Sequence, residues 1–274
     1  MNDRTRLFSS CTILCAVLGV ALLLVNLAGI VVPMRAEMID GYVDFAGGET
    51  QGAATTLSML ATLKEQDLPA ADLAREATKL IHEGIAHVDP EDVEQYGFAY
   101  FGMSVPITEN WVLFLLRFIK PDTYRDYEFC NYRKSVARGT GRCGQQALAL
   151  VSYLSEAGLR TGFVALGGHA VAMAEVAPDS WHLLDPDFGG VIPFDIERAA
   201  SNPDEILQYY WSDAAQERSV HEAFLPENEV KLGGPEARYG RACIIERWAY
   251  VAKWLLAALL ILPMFIFRNM KPWS

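Results

Sequence analysis

Two long runs of apolar residues lie near opposite ends of the chain. Residues 11–32 contain no charged side chain, and residues 248–267 contain one, Lys253. A helix rises about 1.5 Å per residue, so each run is long enough to cross about 30 Å of hydrocarbon. The pattern predicts two transmembrane helices, at residues 11–33 and 248–267.

The short tails that flank these two runs are basic. They carry Arg4, Arg6, Arg268 and Lys271. Because basic residues in short tails are retained on the cytoplasmic side, we expect both termini to be cytoplasmic. The predicted tails are residues 1–10 and 268–274, and everything between the helices is expected outside a bacterial inner membrane.

Each apolar run has an alternative reading. The first resembles a signal peptide, but it is longer than the usual apolar region and no small-residue cleavage site follows it, which favours an uncleaved anchor. The second is compatible with a buried helix of the folded domain. We expect Lys253 instead to extend to the membrane interface beside Trp248, Tyr250 and Trp254.

The residues between the two runs read as one α+β domain, with a helical part at 34–128 and a core with a return segment at 129–247. Helical periodicity extends over residues 55–87, with a break at residues 68–69, and another helix is expected from Asn110, as N-cap, to residue 120. That helix is too short to span a bilayer. A short helix is also expected at residues 203–211.

The pattern changes after residue 139. A loop leads into a helix over residues 145–154, so that Cys143 lies at the helix N-terminus. Strands are expected at residues 161–166, from His169 onwards, and at residues 181–184. If the last two strands form a hairpin, His169 and Asp185 lie nearly opposite each other at its open end.

Charge and cysteine content narrow the choice of function. The net charge of −11 argues against a nucleic-acid partner. Outside the membrane the chain would carry Cys130, Cys143 and Cys243, an odd number, so at least one thiol stays free or pairs between chains. Cys130 with Cys243 is the favoured disulfide, and a bond from Cys143 to either of them is the alternative.

Cys143, His169 and Asp185 have complementary chemistry. A helix N-terminus and a neighbouring imidazolium both lower the pKa of a thiol, which makes it a nucleophile at neutral pH. The imidazole in turn needs a third group that fixes its tautomer, usually a carboxylate. Asp187, on the same face of the third strand, is the alternative orienting group.

Three short motifs occur in order, GRCGQQ at 141–146, GGHA at 167–170 and WHLLDPD at 181–187. Together they resemble the transglutaminase-like superfamily, which shares the papain-type cysteine mechanism. The resemblance covers less than a third of the chain. It implies a catalytic cysteine at a helix N-terminus packed on an antiparallel sheet that carries the histidine and the aspartate, here between two transmembrane helices.

The same resemblance implies roles for individual residues. Cys143 is the expected nucleophile, His169 its base and Asp185 the orienting group, with the Cys143 N–H as one oxyanion donor. Trp111 is a candidate second donor. Gln145 and Gln146 are candidate substrate contacts.

The expected reaction is acyl transfer from a peptide or protein amide through a thioester. Release to water, as in a peptidase or amidase, is slightly favoured over release to an amine. The alternative is a non-catalytic, membrane-tethered scaffold or peptide-binding module, and both readings are compatible with partners in cell-envelope polymer assembly or export.

No cofactor and no metal site is predicted. The alternative is a zinc ion held by Cys143, His169, His182 and Asp185. The sequence shows no paired-ligand spacing that would support such a site. The remaining histidines, His82, His87 and His221, are expected to be ordinary.

Overall fold

The structure is a computed structural model that describes residues 3–35, 39, 50–98, 100–225 and 228–269. The described helices, with two 3₁₀ segments at Pro203–Tyr209 and Val220–Ala223, are α1 (Asp3–Val31), α2 (Ala53–Glu65), α3 (Ala70–Gly84), α4 (Pro90–Tyr96), α5 (Ile107–Ile119), α6 (Pro121–Tyr124), α7 (Tyr132–Arg138), α8 (Cys143–Glu156), α9 (Ile196–Ser201), α10 (Ala214–Glu217), α11 (Pro235–Tyr239) and α12 (Arg241–Asn269). The strands are β1 (Ala86–His87), β2 (Thr140–Gly141), β3 (Thr161–Ala165), β4 (Ala170–Ala177), β5 (Ser180–Asp185), β6 (Gly190–Ile192) and β7 (Glu229–Leu232).

The chain divides into two compact units. The first comprises Met1–Met34, Ser104–Asp126 and Ile245–Ser274, and the second comprises Arg35–Met103 and Tyr127–Ile244. The helix α5, which the sequence pattern assigned to the domain between the apolar runs, therefore belongs with the apolar helices. Three of its apolar side chains, Leu115, Phe118 and Ile119, are exposed, as are many on α1 and α12.

The first unit contains both long apolar helices. The stretches Cys11–Val31 in α1 and Arg241–Ile266 in α12 are long and apolar enough to cross a membrane. Only 17% of each stretch is buried within the protein, which is low for the core helix of a globular domain. The helices extend beyond the predicted bounds, since α1 begins at Asp3 and α12 at Arg241. Lys271 lies outside the described residues.

Polar contacts join the helices of this unit. Lys253 Nζ donates a hydrogen bond to the backbone oxygen of Glu109 (2.6 Å), and the Lys253 carbonyl accepts one from Asn26 Nδ2 (2.8 Å). Tyr250 donates its hydroxyl to the Glu109 carboxylate (2.6 Å). Lys253 is thus buried against α5 and does not extend to a membrane interface as predicted. Its ammonium group can be buried there because the backbone carbonyl of Glu109 accepts its hydrogen bond.

Asn110 shows how α5 begins. Its backbone is non-helical, and its side-chain oxygen accepts hydrogen bonds from the amides of Val112 (3.1 Å) and Leu113 (3.2 Å). This is the geometry of an N-cap, so the predicted cap is confirmed. One additional turn, from Ile107, precedes it.

The second unit is a mixed α+β fold around a five-stranded antiparallel sheet, with the order β6-β5-β4-β3-β7. The three predicted strands form its centre, and β6 and β7 were not predicted because they are short. Alternate side chains of β4 enter two different cores: Ala172 and Ala174 pack with α8 and α3, and Val171 and Met173 pack on the opposite face. Because both faces are covered, the central strands are almost wholly apolar.

One disulfide lies within the second unit. Cys130, in the segment before α7, is bonded to Cys243 in the first turn of α12, across a sequence separation of 113. Cys143 remains a free, partly exposed thiol.

Candidate functional site

Cys143 is the first residue of α8. The preceding Arg142 has extended backbone geometry, and the helix turns only at Cys143. Amides of a first helical turn have no acceptor within the helix, and they lie at the positive end of its dipole. Both effects favour an anionic group bound beside Cys143.

His169 precedes β4 by one residue, at the end of a glycine turn. Gly168 has φ of +91°, a left-handed conformation that favours glycine, and a Cβ atom added there would meet nothing within 4 Å. The turn therefore brings the imidazole to the sheet edge and leaves open space beside it. The face of the ring is bounded by Phe188, in an edge-to-face contact at 5.2 Å between ring centroids.

Asp185 is the last residue of β5, and both of its carboxylate oxygens are fully engaged. Oδ2 accepts hydrogen bonds from His169 Nε2 (2.8 Å) and from the Tyr210 hydroxyl (2.9 Å). Oδ1 accepts from the backbone amides of Asp187 (3.0 Å) and Phe188 (3.2 Å). The side chain is wholly buried, and these four donors fix its orientation.

The electrostatics of this pair favour the charged forms. Burial by itself lowers the pKa of His169, but attraction and hydrogen bonding to Asp185, a hydrogen bond with Cys143 and the charge of Asp187 together hold it well above its usual range. Burial likewise raises the pKa of Asp185, and the His169 charge, the Phe188 amide and the Tyr210 hydroxyl outweigh that effect and lower it. An imidazolium beside the Cys143 thiol is the result.

Asp187 is a second buried carboxylate, on the other side of His169. Its Oδ1 accepts hydrogen bonds from His87 Nδ1 (2.5 Å) and Gln146 Nε2 (3.0 Å). Its Oδ2 is 3.8 Å from His169 Nδ1, and it is buried without a hydrogen-bond partner. His169 is therefore flanked by Asp185 at Nε2, within hydrogen-bonding distance, and by Asp187 at Nδ1, beyond it.

His87 is held in its charged form. Burial lowers its pKa, but the charge and hydrogen bond of Asp187, together with Asp89, raise the pKa of His87 to about 10. Asp89 also forms a two-pronged ion pair with Arg218 (2.7 and 3.2 Å). The prediction that His87 is ordinary was wrong, because its main partner, Asp187, is 100 residues away in sequence and meets it only on folding.

Cys143 and His169 lie on the wall of a cavity of about 770 Å³. Pockets of roughly 300–1,000 Å³ are typical of small-molecule and peptide sites. Part of the wall comes from the predicted return segment, namely from Arg218, Ser219, Val220, Glu222, Ala223, Arg238 and Tyr239. The expected short helix of that region is a 3₁₀ segment, Pro203–Tyr209, and the following Tyr210 reaches Asp185.

The other three predicted site residues have different surroundings. Gln145 is buried, and its amide is fully engaged with the Phe129 backbone, Ser135 and Arg138. Gln146 is buried and bonds to Asp187. Trp111 belongs to α5 of the first unit. In the described part of the chain none of the three lines the cavity, and only the Gln146 side chain hydrogen-bonds to a residue of its wall, Asp187.

Several residues of the site were missed by the sequence reasoning. They are His87, Asp89, Glu128, Tyr210, Arg218, Arg238 and Tyr239. Their positions are scattered over 150 residues, and no local periodicity or spacing connects them.

Cys143, His169 and Asp187 form a group whose donor atoms all lie within 4.8 Å of one another. A thiolate, an imidazole and a carboxylate are competent zinc ligands, so this set could hold a metal ion. The alternative zinc set weighed from the sequence differs, since His182 pairs with Ala174 across the β4–β5 ladder and lies outside this group. Equally, the group can transfer a proton between a thiol and an imidazole.

Comparison with protein-family models gives no match, and comparison with curated proteins gives none either. Any function must therefore be argued from the chemistry of the site.

Proposed function

We propose that this chain is a membrane-anchored cysteine acyl-transfer enzyme of the transglutaminase-like class, acting on a peptide or protein amide. The observation that carries the proposal is the position of His169, which is hydrogen-bonded to Cys143 and, through Nε2, to the fully anchored Asp185. The cysteine is at the start of a 14-residue helix and on the wall of a cavity.

The first half-reaction follows from these contacts. The Cys143 thiolate attacks the carbonyl carbon of the amide, and the developing oxyanion is stabilised by the Cys143 N–H at the helix N-terminus. As the intermediate collapses, the carbon–nitrogen bond breaks and the His169 imidazolium gives its proton to the leaving amine. The product is a thioester on Cys143.

The second half-reaction releases the acyl group. His169, now neutral, takes a proton from a water molecule or an amine as that nucleophile attacks the thioester carbon. The carbon–sulfur bond then breaks, which regenerates the thiolate–imidazolium pair. Release to water, the peptidase or amidase outcome, is the version proposed here, and release to an amine would make the enzyme a cross-linker.

The proposed setting is a bacterial inner membrane, with both termini cytoplasmic and the second unit extracytoplasmic. The two apolar helices and the basic tails support this arrangement. The Cys130–Cys243 disulfide supports an oxidising compartment. An enzyme held at that surface would meet peptide-bearing partners of cell-envelope assembly.

Alkylation of Cys143 by iodoacetamide between about pH 5 and 10 tests the proposal, because only the thiolate reacts and an ordinary thiol has a pKa of about 8.5. The variants are His169→Ala, Cys143→Ala and, as a matched control on β5 outside the Cys–His–Asp group, His182→Ala. Adducts are located by mass spectrometry, since Cys11 and Cys15 are also free.

We expect Cys143 to react at least one pH unit or so below an ordinary thiol, and His169→Ala but not His182→Ala to remove that advantage. A Cys143 that reacts like a free thiol in the wild-type protein would contradict the proposal. The alternative, a tethered peptide-binding module without catalysis, would then be favoured.

A further inference from the structure

The cavity beside Cys143 differs in charge from the chain as a whole. The protein has a net charge of −11, yet the described cavity wall carries five basic and four acidic side chains. The basic ones are His87, Arg142, His169, Arg218 and Arg238. A basic side chain that already forms an ion pair with a carboxylate is less available to a ligand than one that does not.

One part of the wall is already neutralised. Asp89 lies against Arg218 (2.7 Å) and His87 (3.6 Å), and His87 lies against Asp187 (2.5 Å). Two cations and two carboxylates are joined in this chain of contacts, so it offers no excess charge to an incoming anion.

Arg238 is different. Its guanidinium lies 5.2 Å from the ring centroids of both Phe163 and Tyr239, and it has no ion pair or hydrogen bond to any described residue. Its Nε is buried without an acceptor. Other arginines of the second unit, such as Arg133 and Arg160, have a carboxylate at 2.6–2.7 Å. A buried donor without an acceptor is costly and indicates a missing partner.

Glu128 is the carboxyl group that the Arg238 charge influences, but none of its described contacts is an ion pair with Arg238. Burial raises the pKa of Glu128, and a hydrogen bond from the Tyr239 hydroxyl and the charges of Arg138 and Arg238 oppose that effect. Glu128 lies against Gly144, the residue that follows Cys143, because a Cβ atom on Gly144 would lie 2.5 Å from Glu128 Oε1. Arg238, Tyr239 and Glu128 line the same cavity as Cys143.

We propose that Arg238 binds a carboxylate of the acyl substrate, so that the substrate is a peptide or amide with a free carboxylate close to the bond that is attacked. The inference rests on the proposed function and names the substrate class of that same site. A guanidinium presents parallel N–H donors that match the two oxygens of a carboxylate, and the Phe163 and Tyr239 rings hold its plane in place.

Two alkylating reagents of equal length test this subsite without a known substrate. N-iodoacetylglycine carries a carboxylate, and N-iodoacetylglycinamide carries a neutral carboxamide at the same position. The full-length chain in detergent is treated with each, and the rate of alkylation at Cys143 is measured by mass spectrometry. The variants are Arg238→Gln, Arg238→Lys and, outside the cavity, Arg160→Gln.

The measured quantity is the ratio of the acid rate to the amide rate. We expect this ratio at Cys143 to exceed that of glutathione, and Arg238→Gln to lower it about tenfold while the amide rate is kept. Arg238→Lys, which retains charge without the planar fork, should lower it less, and Arg160→Gln should leave it unchanged. The retained amide rate reports that Arg238→Gln is folded.

A ratio that is the same in wild type and Arg238→Gln would overturn the carboxylate subsite. A different result would contradict the proposed function: alkylation of Cys143 by N-iodoacetylglycinamide no faster than that of a free thiol. The ratio can be measured even at a slow thiol, so the two failures are distinguishable.

Discussion

His169 is flanked by two carboxylates that are held in different ways. Asp185 accepts four hydrogen bonds, one of them from His169 Nε2 at 2.8 Å, so its position and its charge are both fixed. Asp187 is 3.8 Å from Nδ1, and its anchored oxygen bonds to His87 and Gln146. In the proposed mechanism these contacts support Asp185 as the orienting group, with Asp187 as a second carboxyl group near the ring.

Asparagine substitutions distinguish the two carboxylates. Asp185→Asn should move the alkylation profile of Cys143 to higher pH by about one unit or more, because the imidazolium loses its nearest charge partner. Asp187→Asn should move it less. Iodoacetamide rates measured across pH on both variants check this, and a larger shift for Asp187→Asn would transfer the orienting role to Asp187.

The charge of His87 predicts a pH-dependent stability. Its pKa rises from 6.5 in its ordinary state to about 10 in the folded protein. A raised pKa contributes stability that is fully present below about pH 6.5 and is lost as the pH rises towards 10. His87→Gln should thus lower the apparent thermal midpoint at pH 6 and approach the wild-type midpoint near pH 10.

His182→Gln is the control for this measurement, with the opposite sign. Burial lowers the pKa of His182, so the native histidine costs stability as the pH falls, and its replacement should help most at low pH. Thermal denaturation in detergent from about pH 5.5 to 10.5 compares the two variants. A difference between wild type and His87→Gln that does not change with pH would refute the charged state of His87.

At the scale of elements, the start of α12 is held by a covalent bond. Cys243, in the first turn of that helix, is bonded to Cys130 next to α7, and both are buried. The bond closes a loop of more than 100 residues that contains Cys143, His169 and Asp185. Closing so long a loop removes much conformational freedom from the unfolded chain.

The double variant Cys130→Ala, Cys243→Ala should lose about 2–5 kcal/mol of unfolding free energy, the usual range for a native disulfide. The measurement is the apparent thermal midpoint, compared with that of wild type under reductant, which should fall to the same value. Cys11→Ala, Cys15→Ala removes two free thiols and should change little. A wild-type midpoint unaffected by reductant would contradict a stabilising role for the disulfide.

At the scale of the whole molecule, two long apolar helices accompany a charged α+β unit. Their outward apolar side chains and length fit a lipid environment. If both helices cross the membrane, the two termini lie on one side of it. The chain that connects the helices, which includes the second unit, then lies on the other side.

Reporter fusions and cysteine labelling test this topology. A GFP fusion at either terminus should fluoresce and an alkaline phosphatase fusion there should be inactive, as expected of the cytoplasmic side. A cysteine at the exposed Ser201 should react with a membrane-impermeant maleimide added to intact spheroplasts. Active phosphatase at either terminus would show that the proposed orientation is wrong.

Much of the secondary structure could be predicted because it depends on local sequence. The break between α2 and α3, the Asn110 cap and the helix that begins at Cys143 follow from short-range sterics and hydrogen bonding, which a few neighbouring residues decide. The approach of His169 to Asp185 could also be anticipated, since adjacent strands of a hairpin bring their ends together.

Other features were beyond local reasoning. The segment Ser104–Asp126 belongs with the apolar helices because of contacts between residues more than 100 positions apart, such as those of Glu109 with Tyr250 and Lys253. Three features of the site also depend on contacts between residues that are distant in sequence. They are the pairing of His87 with Asp187, the hydrogen bond from Tyr210 to Asp185, and the position of the unpaired Arg238 at the cavity.

The amino-acid sequence by itself thus determined the two apolar helices, the order of helix and central strands, and the three residues Cys143, His169 and Asp185 as a group. Only the tertiary structure decided what surrounds that group: a second carboxylate that contacts His87, a cavity of about 770 Å³, and an arginine near two aromatic rings. The physical reason is range. Periodicity and capping act within a few residues, whereas burial and ion pairing join side chains that are neighbours only after the chain has folded.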